Sequence, residues 1–131
     1  MRLLLDTHVL LWMGEDRRKL GKKAGVLIAD PESEIWVSAV SVWEIANKAA
    51  RGRLRLALPA TQWLPTQMTE NDINPLAITH EHALTAAGLP RHHEDPFDRM
   101  LIAQALTEDL RIVTADAHFD RYDVRLIDAT A

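Results

Sequence analysis

Three consecutive leucines, Leu3, Leu4 and Leu5, stand near the start of the chain and are stopped by Asp6. A strand turns successive side chains to opposite faces. A run that is apolar at every position must therefore be covered on both sides. A sheet buried on both faces is a parallel sheet between helices, which places the chain in the α/β class. The remaining punctuation agrees. Residues 34–38 (EIWVS) and 111–114 (RIVT) are β-rich runs, residues 124–127 (VRLI) read as another strand, and 73–78 (INPLAI) read as a strand or extended segment interrupted by Pro75.

Between these runs lie helical signals. Residues 7–13 read as a short helix, and about 18–29 as a basic helix that stops before Pro31. Ser38 fits an N-cap for a helix over 39–51 closed by Gly52. Pro59 opens a helix to about residue 70, and Thr79 caps a short one ending at Gly88. Asp95 and Pro96 begin a helix from 96 to about 109. Strands alternating with helices imply a mostly parallel sheet covered on both faces, with its site at the carboxyl ends of the strands.

A length of 131 residues suits one domain with one core. There is no Cys, so neither a disulfide framework nor a thiolate metal site is available. No apolar run is long enough to span a bilayer and no leader pattern opens the chain, so a cytoplasmic protein is expected. The net charge of −4 argues against a simple cationic binder of nucleic acid. The argument weakens if several carboxylates share one site and hold cations, because bound divalent ions reverse the local field. Arg17, Arg18, Lys19, Lys22 and Lys23, and again Arg51, Arg53 and Arg55, are basic runs best read as solvated surface.

The acids carry the chemistry. Asp6 closes the first strand and Asp116 lies two residues beyond RIVT, so both belong at the same edge of the sheet. Glu44 sits among Val40, Trp43, Ile45 and Ala46, and Asp98 lies in the first turn of a helix carrying Leu101 and Ile102. Carboxylates sheltered beside apolar residues are costly unless paired or metal-bound, and hard cations such as Mg²⁺ or Mn²⁺ take oxygen ligands. Each acid also has a plain structural role open to it. Asp6 and Asp116 suit N-caps, Glu44 suits an i,i+4 pair with Lys48, and Asp98 suits the positive end of its helix. Asp95 is the best N-cap in the chain, with a supporting place behind the metal ligands as a further option.

Four segments bring a family into view. MRLLLDTHVLLW, SVWEIANKAARGRL, HHEDPFDRMLIAQA and IVTADAHF resemble, in order, the successive motifs of PIN domains, and more narrowly those of VapC-type toxins of bacterial type II toxin–antitoxin systems. The resemblance runs from Met1 to about Ile127. It implies a PIN-like α/β/α sandwich and a single PIN domain over 1–131. It also implies a metal-dependent endoribonuclease using Mg²⁺, with Mn²⁺ as an alternative. Asp6, Glu44, Asp98 and Asp116 match the family's acids in turn. Asp6 and Asp98 are then the main metal ligands, while Glu44 and Asp116 complete the set or position water. Many relatives carry Asn and a further Asp near the fourth acid, whereas this chain reads Thr114, Ala115, Asp116, Ala117, a departure that points to Asp116 acting through water.

Thr7 and Thr114 are candidates to hydrogen-bond the acids or substrate. Arg99 could reach phosphate, although a surface salt bridge is its commoner role, and Lys48 is read as the partner of Glu44. His80/His82 and His92/His93 are too closely spaced to share a helical face, so they do not form a zinc pattern. His8 and His118 lie near the acids and are read as exposed or capping residues. The resemblance further implies an RNA substrate, a cognate antitoxin and a homodimer. Trp12 and Trp43, on helices flanking the site, could line a groove for an amphipathic antitoxin helix, while Trp36 on a strand is assigned to the core.

Two other readings compete. A phosphatase with an Asp nucleophile after the first strand would need a second Asp two residues on, where His8 stands. A receiver-like module would need an acidic pair near the first strand and an Asp ending a middle one, which INPLAIT does not supply.

Overall fold

A computed structural model describes residues 1–131. Strand β1 (Arg2–Leu5) leads into helix α1 (Thr7–Glu15) and, after a 3₁₀ turn over Arg17–Lys19, α2 (Lys22–Ala29). Then come β2 (Glu34–Ser38), α3 (Ala39–Ala50), α4 (Ala60–Glu70), β3 (Ile73–Leu76), α5 (His80–Gly88), α6 (Pro96–Glu108) and β4 (Arg111–Thr114). A second 3₁₀ turn, Ala117–Arg121, precedes β5 (Leu126–Asp128). The sheet order is β3-β2-β1-β4-β5, and every pairing is parallel.

The leucine run behaves as its pattern demands. Leu3 and Leu5 enter one core with Val9, Leu10, Ile45, Trp63 and Val113. Leu4 enters the other with Leu101, Ile102, Ile112, Phe119 and Tyr122. All three leucines are fully buried. The first core lies beneath α1, α3 and α4, and the second beneath α6 and the turn before β5. Pro75 is tolerated because β3 is an edge strand, where a missing backbone donor breaks no central ladder.

Two element boundaries differ from the sequence reading. The helix expected over about 18–29 is broken at Gly21, which caps α2 instead. The chain's last residues pack there. Gly21 N donates to the Ala129 carbonyl, and the first amides of α2, from Lys23 and Ala24, donate to Ala131. A Cβ on Gly21 would stand 2.0 Å from the Ala131 oxygen, so that close approach needs glycine. The final strand is shifted from 124–127 to Leu126–Asp128, because register with β4 pairs Ile112 with Leu126 and Thr114 with Asp128.

The chain leaves β1 for β2 on one side and returns to β4 on the other. The strand order therefore reverses between β1 and β4, where crossovers diverge and open a crevice at the carboxyl ends. Asp6 directly follows β1 and Thr114 ends β4.

Candidate metal-dependent active site

Asp6 is buried at this switch point, with 4% of its surface exposed. One carboxylate oxygen accepts from the Thr7 amide at 2.7 Å, which caps α1. The other accepts from the Thr114 hydroxyl at 2.8 Å. Thr114 Oγ1 in turn accepts from the Asp116 amide at 3.0 Å, so one hydroxyl links the first and last acids. Burial raises the Asp6 pKa against the opposing pull of Thr114, His8 and the Thr7 amide, and Asp116 pushes it further up.

Asp98 rises from the first turn of α6, whose N-cap is Asp95. Asp95 Oδ1 accepts from the amides of Phe97 at 2.8 Å and Asp98 at 3.4 Å. Asp98 Oδ2 meets His93 Nε2 at 2.7 Å. Burial pushes the Asp98 pKa up to about 6, with the charges of Asp95 and Asp6 adding to the rise and His93 opposing it. Asp116 caps the second 3₁₀ turn and takes both the backbone N and the Nδ1 of His118, at 2.9 and 2.8 Å. Its modest burial raises the pKa, but the hydrogen bonds and charge of His118, helped by His93, outweigh that and leave it below the ordinary value.

Asp6, Asp98 and Asp116 thus share one electrostatic environment although 110 positions separate the first from the last. Glu44 lies on α3. Its carboxylate, 12% exposed, pairs with Lys48 at 2.7 Å, the i,i+4 arrangement that the spacing allowed. Thr7 is buried, and its hydroxyl donates to Ser41 Oγ at 2.9 Å, tying α1 to α3.

Arg99 corrects the sequence reading. It is buried, and it makes neither a surface salt bridge nor a contact available to phosphate. Its guanidinium donates to the carbonyls of Ala86, Leu89, Pro90 and His93, at 2.8 to 3.2 Å. A buried guanidinium without a carboxylate is tolerable only when acceptors surround it, and the carbonyl end of α5 supplies both acceptors and negative dipole. Tyr122 Oη accepts from the His93 amide and donates to Pro90. Together Arg99 and Tyr122 hold the loop that delivers His93 to Asp98.

His93 is the residue that sequence reasoning missed. Its ring stacks on His118, with centroids 4.5 Å apart and planes 8° off parallel. The two imidazoles bridge the Asp98 and Asp116 sides of the crevice. The signal was present as His-x-Asp-x-x-Asp over 93–98, but its histidine was weighed only against its neighbour His92. His93, Asp95 and Asp98 can each offer a ligand atom within 4.8 Å of the others.

The donor set fits a divalent cation. Two sheltered carboxylates, Asp6 and Asp98, are held in a state that disfavours their charge, which a hard cation would relieve.

The PIN domain family model matches residues 3–125. The chain belongs to the PIN domain family. Among PIN-domain relatives, Ribonuclease VapC22 of Mycobacterium tuberculosis is 35% identical over 115 residues, covering 87% of this chain and 86% of the relative. Ribonuclease VapC16 of the same organism is 32% identical over 66 residues, 49% of this chain and 47% of the relative. The PIN fold recurs in a chain of VapBC2 from Rickettsia felis, crystallised bound to a DNA fragment from its promoter. That match has a TM-score of 0.73 at 12% identity, covering 97% and 98% of the two chains. A chain of VapBC-1 from nontypeable Haemophilus influenzae matches with a TM-score of 0.68 at 19% identity over the full length of both.

Proposed function

We propose that this PIN domain is a metal-dependent endoribonuclease, the toxin of a toxin–antitoxin pair, silenced by its cognate antitoxin. The observation that carries the nuclease reading is the junction at the sheet's switch point. Buried Asp6 and desolvated Asp98 face each other electrostatically there, with Asp116 tied to Asp6 through one threonine hydroxyl. Relationship to a ribonuclease over most of both chains supports RNA as the substrate.

Asp6 and Asp98 would hold the cation, with Asp116 and Glu44 completing the set or orienting water. Mg²⁺ or Mn²⁺ bound there lowers the pKa of water and screens phosphate charge. The chain's own contribution is positional. Thr114 fixes the Asp6 carboxylate, Asp95 anchors the turn that carries Asp98, and Arg99 keeps the adjacent loop in place. For Glu44 to join, its carboxylate must exchange Lys48 for the ion or its water.

An apolar groove between α3 and α4 supports the antitoxin reading. Val42, Ala46, Leu64, Pro65 and Met68 line a depression of about 380 Å³. It adjoins a second of about 600 Å³ flanked by Leu54 and Leu56. Such a surface receives the apolar face of a helix. Trp43, 62% exposed, packs against Phe97 beside the acids and would meet the same partner. Trp12 is half-buried against the first core instead, and Trp36 is half-buried on β2. A homodimer, as the resemblance implies, belongs to the same proposal.

The deciding experiment is cleavage of structured and unstructured RNA with Mg²⁺ or Mn²⁺, with and without EDTA, for wild type and Asp6→Asn. Cleavage is expected to vanish in EDTA and to fall at least about 100-fold in Asp6→Asn. Cleavage that persists in EDTA would overturn the mechanism, and an unaffected Asp6→Asn would overturn the assignment.

A further inference from the structure

The loop before α6 carries a nitrogen donor into a site read so far as all oxygen. Resting on the nuclease reading above, we propose that His93 Nε2 is itself a metal ligand, completing with Asp95 and Asp98 a mixed nitrogen–oxygen set that favours transition ions over Mg²⁺.

The first argument is spacing. Neighbouring ligands around an octahedral ion, each about 2.1 Å from it, stand about 3 Å apart. His93 Nε2 and Asp98 Oδ2 are 2.7 Å apart and share a proton. A cation held by both atoms would displace that hydrogen bond, with the ring or the carboxylate turning to present its lone pair. The second is free valence. Asp95 spends Oδ1 on the α6 cap, and Asp98 meets His93 through Oδ2. Asp95 Oδ2 and Asp98 Oδ1 make no hydrogen bond within the chain and remain available. All three residues bring a donor within 4.8 Å of the others.

The third argument is preorganisation. The His93 ring is stacked on His118, its amide is held by Tyr122 and its carbonyl by Arg99. An imidazole fixed this way loses little freedom on binding. Buried Arg99 and Tyr122 hold the loop that sets His93 against Asp98. Nitrogen ligation also has a chemical consequence. Mg²⁺ keeps to oxygen, whereas affinity for imidazole-containing sites climbs from Mn²⁺ towards Co²⁺ and Ni²⁺. The site is therefore selective among divalent ions in a way that four carboxylates alone would not be.

The test is binding, with the full chain and no RNA. Mn²⁺-loaded wild type is examined by pulsed EPR for ¹⁴N coupling to the ion, while Mg²⁺, Mn²⁺ and Co²⁺ affinities are measured by calorimetry. Coupling is expected in wild type, retained in His118→Gln and lost in His93→Gln. His93→Gln is expected to weaken Co²⁺ at least about tenfold and Mg²⁺ by less than about threefold.

Absence of coupling in wild type, or coupling that survives His93→Gln, overturns the proposal. Equal weakening of all three ions also overturns it, since that is what a residue merely positioning Asp98 would do. Should His93→Gln fail to fold, the wild-type spectrum still decides. RNA cleavage by wild type in Mg²⁺, abolished in Asp6→Asn, would leave the nuclease reading standing even if His93 proved to be no ligand.

Discussion

Replacing the Thr114 hydroxyl by a methyl group changes the volume of the site very little but removes two of its hydrogen bonds. One orients Asp6 and the other places the Asp116 amide. Thr114→Val is expected to lower metal affinity about 10–100-fold while the fold survives, as measured by calorimetry and circular dichroism. Arg99 sets the opposite case. Arg99→Met strands at least four carbonyls that the guanidinium now satisfies, and it is expected to cost about 3 kcal/mol or more in urea unfolding. Arg99→Lys should recover only part of that, because an ammonium cannot span the same fork of acceptors. The burial of Arg99 was not legible in the sequence. An arginine following an aspartate in a helix looks like a surface residue until α5 ends against it.

At the scale of elements, packing decides more than propensity. Gly14 lies near the end of α1, where a Cβ would meet Trp63 Cζ2 at 2.4 Å and Gln67 Cδ at 2.8 Å. Alanine there gains up to about 1 kcal/mol of helix propensity but must displace a fully buried tryptophan, a clash typically worth about 1–3 kcal/mol. Gly14→Ala is therefore expected to destabilise, by up to about 2 kcal/mol, with the loss read as a lower urea midpoint at unchanged slope. The other helices show how local signals translate. Ser38, Thr79 and Asp95 all cap where their sequence context places them. Gly52 follows α3 with φ of +69°, the left-handed conformation that glycine adopts freely. The break at Gly21 escaped because it depends on contacts with the chain's last residues, and the shift of β5 because it depends on register with β4.

For the molecule as a whole, the acid cluster is expected to make stability depend on pH. Asp98 has a folded pKa of about 6 against an ordinary 3.8, and burial raises Asp6 in the same direction. In that window the native state binds more protons than the unfolded one, so metal-free stability falls as pH rises from about 4 to about 6. Asp116, lowered by His118, works in the opposite sense and loses its contribution only below the ordinary carboxylate range. The Asp98 effect is on the order of 2 kcal/mol, or about 5–10 °C in Tm. Asp98→Asn should remove most of the slope. Saturating Mn²⁺ should reverse it, because binding requires deprotonated ligands. Differential scanning calorimetry across this range checks all three outcomes. An unbroken leucine run, alternating capped helices and acids behind strand ends were enough to determine an α/β sandwich with its site at the carboxyl edge, because periodicity and capping are local properties of the chain. Tertiary structure alone decided which groups share the crevice. It enclosed Arg99 and stacked His93 on His118, since contacts between side chains distant in sequence arise only when the β1–β4 pairing and the α5–α6 packing bring them together.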